Sequence, residues 1–250
     1  MISKNQIKFV KQLEMKKYRQ REGLFVAEGP KVVGDLLAAG FEPHAIYATE
    51  EWEPLSPQST SLTSHLSPLT SSVSPDELRK LSFLQHPQQV LAVFHIPSSP
   101  ASHHSPLELA LDGIQDPGNL GTIIRIADWF GIDSIVCSLD TADAWSPKVV
   151  QATMGSIARA NIIYTDLKEY LNHTPLPVCG TLLDGDNIYT QELPQEAIIV
   201  MGNEGNGISP DIRQLVTQRL LIPQYRPGAE SLNVAIATAI TCAEFRRRSI

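Results

Sequence analysis

The sequence has little cysteine, no long apolar run and none of the common nucleotide-binding fingerprints. Its three cysteines, Cys137, Cys179 and Cys242, are scattered. They form no metal-ligand spacing and fit a reducing compartment. No stretch approaches the roughly eighteen apolar residues of a membrane span, and no cleavable targeting signal opens the chain. A cytoplasmic protein without a membrane partner is expected. The Gly-x-Gly-x-x-Gly turn and the Gly-x-x-x-x-Gly-Lys-Ser/Thr loop are both missing. No acidic residue ends a second strand where an NAD ribose would be held. Both common nucleotide readings lose weight. The seven histidines sit in Ser/Pro-rich, linker-like or turn segments and read as solvated side chains rather than metal ligands.

The net charge of -7 argues against a non-specific grip on nucleic acid, but it hides a gradient. Residues 1–31 carry eight Lys or Arg against three Glu, and residues 32–100 carry two basic and seven acidic residues. The chain closes on Arg246, Arg247 and Arg248. A basic arm at each end can contact phosphates, or it can serve solubility alone.

The patterning describes two α/β domains. In residues 2–21, Ile7, Val10, Leu13 and Lys17 mark one face of a helix with basic residues around it. Strands are expected at Leu24–Ala27, Ala45–Ala48 and Val90–Phe94, with helices from Val32 to Ala39 and from Pro75 to Leu81. Residues 54–75 are dominated by Ser, Thr, Pro and Leu and read as a long loop. The proline-rich segment 96–106 is the natural boundary, which sets domains at 1–95 and 107–250.

Beyond it, strands at Leu109–Asp112, Ser134–Cys137, Ile162–Tyr164, Pro177–Leu182, Ala197–Met201 and Arg219–Pro223 alternate with helices at Leu120–Phe130, Pro147–Ala158 and Ser231–Arg247. That alternation implies a mostly parallel sheet with helices on both faces.

Three polar segments border these strands. Asp116-Pro117-Gly118-Asn119 has the chemistry of a type II turn, with a helix expected from Leu120. The N–H groups of that helix start favour a negative ligand. Arg125 lies in its second turn among Ile123, Ile124 and Ile126, so its side chain is expected to leave toward a cleft or partner. Gly202-Asn-Glu-Gly-Asn-Gly207 puts three glycines in six residues, which lets a ligand approach backbone closely. In the third segment, Ser231 stands at an expected N-cap and Asn233 adds a second polar group. Locally, each segment also reads as ordinary turn and cap chemistry, the first of them more readily so than as a site.

Taken together and in order, the three segments resemble the motifs of the SpoU/TrmH family. Asp116-Pro-Gly-Asn-x-Gly-x-x-x-Arg125, Gly202-Asn-Glu-Gly-x-Gly207 and Ile222-Pro…Glu-Ser-Leu-Asn-Val234 carry the likeness, over roughly residues 107–248. These are RNA ribose 2'-O-methyltransferases of the SPOUT superfamily. The segment Phe25-Val-Ala-Glu-Gly-Pro30 resembles the small RNA-binding domain that many members carry.

The resemblance implies an α/β SPOUT domain with a parallel sheet and a deep trefoil knot, plus a small N-terminal α/β RNA-binding domain. It implies S-adenosylmethionine as methyl donor, no metal, and a homodimer through the C-terminal domain with residues of both subunits in the active site. It places Thr181, Leu182, Gly202, Asn203, Ile222 and Leu232 at the cofactor. It gives Asn119, Arg125, Glu204, Ser231 and Asn233 the catalytic roles. Ribosomal RNA is favoured over transfer RNA. The RNA surface is expected to combine Lys4, Lys8, Lys11, Lys16, Lys17, Arg19 and Arg21 with the catalytic cleft.

The third motif departs from the family pattern. Pro223 is followed by Gln224-Tyr-Arg-Pro-Gly228, one residue longer than usual, and Ala235 stands where serine often does. Two other readings stay open at this point. One is a SPOUT-like protein that binds RNA or cofactor without methylating, and the other is a nicotinamide-dependent oxidoreductase.

Overall fold

The computed structural model describes residues 2–53, 66–97, 106–226, 228 and 231–247. Most of the expected 54–75 loop, most of the 96–106 linker, and Glu230 lie outside the described residues. The chain divides into two compact units, residues 1–99 with 143–158, and residues 100–142 with 159–250.

In the first unit the expected N-terminal helix is two helices, α1 (Lys4–Gln12) and α2 (Lys16–Glu22). Ser3 and Gln6 close a capping box at the start of α1, and α2 ends on Gly23 at φ 65°, a left-handed conformation that glycine adopts without a Cβ clash. Then follow β1 (Leu24–Glu28), α3 (Pro30–Ala38), β2 (Pro43–Ala48), β3 (Thr70–Ser72), α4 (Pro75–Leu81) and β4 (Val90–His95). The sheet order is β1-β4-β2-β3. Strands β1 and β2 run antiparallel to β4, and β3 runs parallel to β2. Strand β3 and the 3-10 turn Ser67–Leu69 before it correct the reading of 54–75 as a loop throughout. Thr70-Ser71-Ser72 has no apolar signature because backbone pairing to β2 holds it. Val10 and Leu13 join Leu24, Val26, Leu91 and Val93 in the core of this unit.

The second unit carries β5 (Leu107–Asp112), α5 (Pro117–Trp129) and β6 (Ser134–Ser138). Helix α6 (Pro147–Ala152) falls in the first unit. Then come β7 (Asn161–Thr165), α7 (Leu167–His173), β8 (Val178–Asn187), β9 (Ala197–Gly202), α8 (Pro210–Arg213), β10 (Gln218–Leu221) and α9 (Val234–Arg247). The short helices α7 and α8 were not legible from the sequence pattern. All six strands are parallel, in the order β10-β8-β9-β5-β6-β7. Strands β5, β6 and β9 are buried along their whole length, as a sheet covered on both faces requires.

Segment 143–158 is tied into the first unit by a buried ion pair. Arg19 is only 2% exposed and donates to the carbonyls of Leu13 and Glu14 and, at 3.0 Å, to Oδ2 of Asp143. Trp145 lies 4.7 Å, ring to ring, from Phe25. Arg19 therefore does not belong to an RNA-contacting surface, which corrects its sequence-based placement. Its charge is directed to a carboxylate and to two carbonyls just beyond α1.

Two of the expected helix starts in the second unit also differ. Helix α5 begins at Pro117, with the Asp116 carboxylate accepting the Asn119 N–H at 2.8 Å. Gly118 is helical, so the type II turn is not formed. A proline at the first helical position behind an aspartate cap outweighs the turn chemistry. Helix α9 begins at Val234, capped by Asn233 rather than Ser231. The Asn233 Oδ1 accepts from the N–H of Ala235 at 3.0 Å and of Ile236 at 3.3 Å.

All three cysteines are buried, and burial pushes each thiol up to about 12. No helix among the described residues is long and apolar enough to cross a membrane.

Candidate functional site

In a parallel sheet every strand ends on the same side, so the loops after β5, β9 and β10 share one rim. Asp112, the last residue of β5, pairs in register with Gly202, the last of β9. That pairing brings the first and second polar segments together. The third segment follows β10 and leads into α9.

The loop after β9 is a tight hairpin. Asn203 and Gly207 exchange backbone hydrogen bonds of 2.9 Å, and the Asn203 Oδ1 accepts from the N–H of Gly205 and Asn206. Its Nδ2 donates to the Gly113 carbonyl at 2.7 Å, stitching this hairpin to the loop after β5. The buried Asp112 carboxylate accepts the Ser209 N–H at 2.7 Å and closes the far side. Gly202 is required here, since a Cβ would stand 2.2 Å from the backbone of Gly207 and Ile208.

Beside this hairpin is a cavity of about 730 Å³, within the range of small-molecule sites. Thr181, Leu182, Gly202, Asn203, Ile222 and Leu232 all line it, as do Glu204 and Ser231. Among the lining residues Arg213 is the one cation and Glu204 the one anion. Neither Arg213 nor Tyr225, which also lines the cavity, stood out in the sequence. Nothing in its spacing marks Arg213. Tyr225 lies in the lengthened loop of the third motif, and that departure was its only signal.

Asn119 and Asn233 do not line the cavity but connect to it. The Asn119 Nδ2 donates to Oε1 of Glu204 at 3.0 Å, and the Asn233 Nδ2 donates to Oδ1 of Asn119 at 2.9 Å. The polarity of this chain is fixed at both ends. An ionised carboxylate only accepts, and the helix N–H groups of α9 only donate. Each amide can therefore point only one way. The Gln115 N–H gives Glu204 a second, longer hydrogen bond of 3.4 Å.

Helices α5 and α9 run side by side in the same direction. Their starts meet through Asn119 and Asn233, and their ends meet where Arg246 donates to the carbonyls of Phe130 and Gly131 at 2.7 Å.

Arg125 is not brought to this cluster. It is exposed, does not line the cavity, and makes no hydrogen bond or ion pair to a described residue. On the first unit, Lys4, Lys8, Lys16, Lys17 and Arg21 are exposed. Lys11 is partly buried, donating to the Ser82 carbonyl with its ammonium 4.6 Å from the Phe83 ring centroid. Lys17 and Arg21 both lie over the ring of Tyr18, at 4.9 and 4.8 Å. Among the described residues no group of three or more His, Cys, Asp or Glu is arranged to hold a metal ion.

Comparison with known proteins places this geometry. Residues 106–243 match the SpoU rRNA Methylase family, and residues 4–92 match the MRM3-like substrate binding domain. The 23S rRNA (guanosine(2553)-2'-O)-methyltransferase RlmP of Bacillus subtilis (strain 168) is 32% identical over 98% of this chain and 97% of its own. A solved TrmH-family structure from Porphyromonas gingivalis is 41% identical with a TM-score of 0.88, over 99% of both chains. The AdoMet-bound rRNA methyltransferase from Sinorhizobium meliloti is 29% identical with a TM-score of 0.88, over 100% of this chain and 97% of that one. With its three motif loops on one rim and a family match over more than half its length, the chain belongs to the SpoU rRNA methylase family.

Proposed function

We propose that this protein transfers a methyl group from S-adenosylmethionine to a ribose 2'-hydroxyl of RNA, with ribosomal RNA favoured over transfer RNA. The observation that carries the reading is the cavity at the meeting point of the three motif loops, bordered by the Asn233–Asn119–Glu204 chain. Its fit to the donor rests on the donor's mixed chemistry. Leu182, Ile222 and Leu232 offer apolar wall to an adenosine, and Glu204 offers the negative charge a sulfonium favours. When bound, S-adenosylmethionine supplies a methyl already activated toward a nucleophile.

What remains for the chain is alignment of the ribose oxygen and help with loss of its proton. Glu204 is also engaged by two donors, and so holds Asn119 in one orientation as well. Arg125 orients the hydroxyl and binds an adjacent phosphate, because a guanidinium holds its proton too tightly to serve as a base. The trefoil knot belongs to the same proposal. It rests on the family assignment.

The isolation of Arg125 supports a homodimer through the second unit. Trp129, one helical turn beyond it on α5, is 85% exposed, and Ile236 on the adjoining α9 is half exposed. A second copy would cover this apolar surface and bring Arg125 to a partner's substrate. The two alternatives fare differently. The oxidoreductase reading falls with the family assignment, and a binding-only role is disfavoured by retention of all five motif residues.

Three outcomes are expected. With tritiated-methyl S-adenosylmethionine and total RNA from cells lacking the protein, wild type labels one RNA species at a ribose 2'-oxygen. Arg125→Ala loses about 100-fold in rate while cofactor affinity holds. Absence of label despite cofactor binding would leave only a binding role. The double change Lys16→Glu with Lys17→Glu is expected to weaken RNA binding about 10-fold at low salt and to flatten its salt dependence. An unchanged filter-binding curve removes these lysines from the RNA surface. Trp129→Asp is expected to sediment as a monomer and to lose methyl transfer, and a dimer of full activity contradicts the proposed interface.

A further inference from the structure

Tyr225 lines the cavity yet is 91% exposed. It is the one aromatic among the cavity-lining residues. A large ring held in water contributes nothing to the core, and burying it against a partner would be favourable. The next residue, Arg226, is also exposed and makes no hydrogen bond or ion pair to a described residue. Both belong to the stretch that follows Pro223.

We propose that Tyr225 is a specificity-determining contact for RNA, stacking on a base at or beside the target nucleotide, with Arg226 reaching a neighbouring phosphate. This deepens the proposed methyl transfer and rests on that reading. The argument is one of access. Presenting a ribose 2'-hydroxyl to this rim requires a nucleotide that is not buried in a helical stack, and an unstacked base needs a new surface. Aromatic rings serve that purpose in single-stranded RNA recognition, tolerate any base, and are reinforced by nearby arginine. The cofactor is the less fitting occupant. The cavity already offers it the apolar walls of Leu182, Ile222 and Leu232, whereas the Tyr225 ring is open to solvent and to a macromolecule.

The test compares wild type, Tyr225→Ala and Tyr225→Phe. RNA affinity is read by filter binding with ribosomal RNA from cells lacking the protein, and S-adenosylmethionine affinity by calorimetry. Tyr225→Ala is expected to weaken RNA binding about 10-fold, Tyr225→Phe to restore it, and cofactor affinity to stay the same in both. Unchanged RNA affinity in Tyr225→Ala overturns the proposal. So does a weakened cofactor affinity with RNA binding intact, which would make the ring a cover for the donor. Equal losses in the alanine and phenylalanine variants would assign the effect to the hydroxyl and overturn stacking. RNA affinity is read without turnover, so a wild type that binds RNA but transfers no methyl sinks the catalytic reading alone.

Discussion

The hydrogen-bond chain from Asn233 through Asn119 to Glu204 is the constraint on which the site depends. It joins three loops that are far apart in sequence, with Asn233 114 positions after Asn119 and Glu204 85 positions after it. The amide–amide link contributes about 0.5–1.5 kcal/mol net and the link to the carboxylate about 1.5–3 kcal/mol. Its value lies in direction. The start of α9 fixes one end and a carboxylate fixes the other, so neither amide is free to flip. A site that works by alignment needs this kind of fixed polarity more than it needs binding strength.

The sheet makes that chain possible. Six parallel strands deliver their carboxyl ends to one side, and the Asp112–Gly202 pairing places the first two loops in contact. Helix α9 then lies along α5, with their starts joined at Asn119 and Asn233 and their ends at Arg246. The last helix of the chain thereby sets the position of the first motif's helix, on which Arg125 rides. The first unit shows a comparable economy. The charge of Arg19 is used internally to hold segment 143–158, whereas Lys4, Lys8, Lys16 and Lys17 stay exposed.

Much of this was legible in the sequence, for reasons that differ by element. Strands β5, β6 and β9 read clearly because a sheet covered on both faces demands continuous apolar runs, as in Ile198–Met201. The motif glycines read clearly because Gly202 has backbone where a Cβ would go. What was misread turned on competition between two local rules. Asp116-Pro-Gly-Asn satisfies both a turn and a capped helix start, and the helix prevailed because Asp116 caps it. Ser231 and Asn233 are both capping residues, and only the structure shows which one takes the N–H groups. Strand β3 escaped because edge pairing needs no apolar side chains. Arg19 escaped because composition counts a charge without showing where it points. The isolation of Arg125 is a property of tertiary placement, and no local pattern encodes it.

The most direct test of the account is the single-turnover rate of methyl transfer in Asn119→Ala, with S-adenosylmethionine affinity measured on the same preparation. If the chain of amides aligns the reacting groups, the rate falls about 100-fold while cofactor affinity is unchanged. A variant that transfers methyl at the wild-type rate would contradict the account.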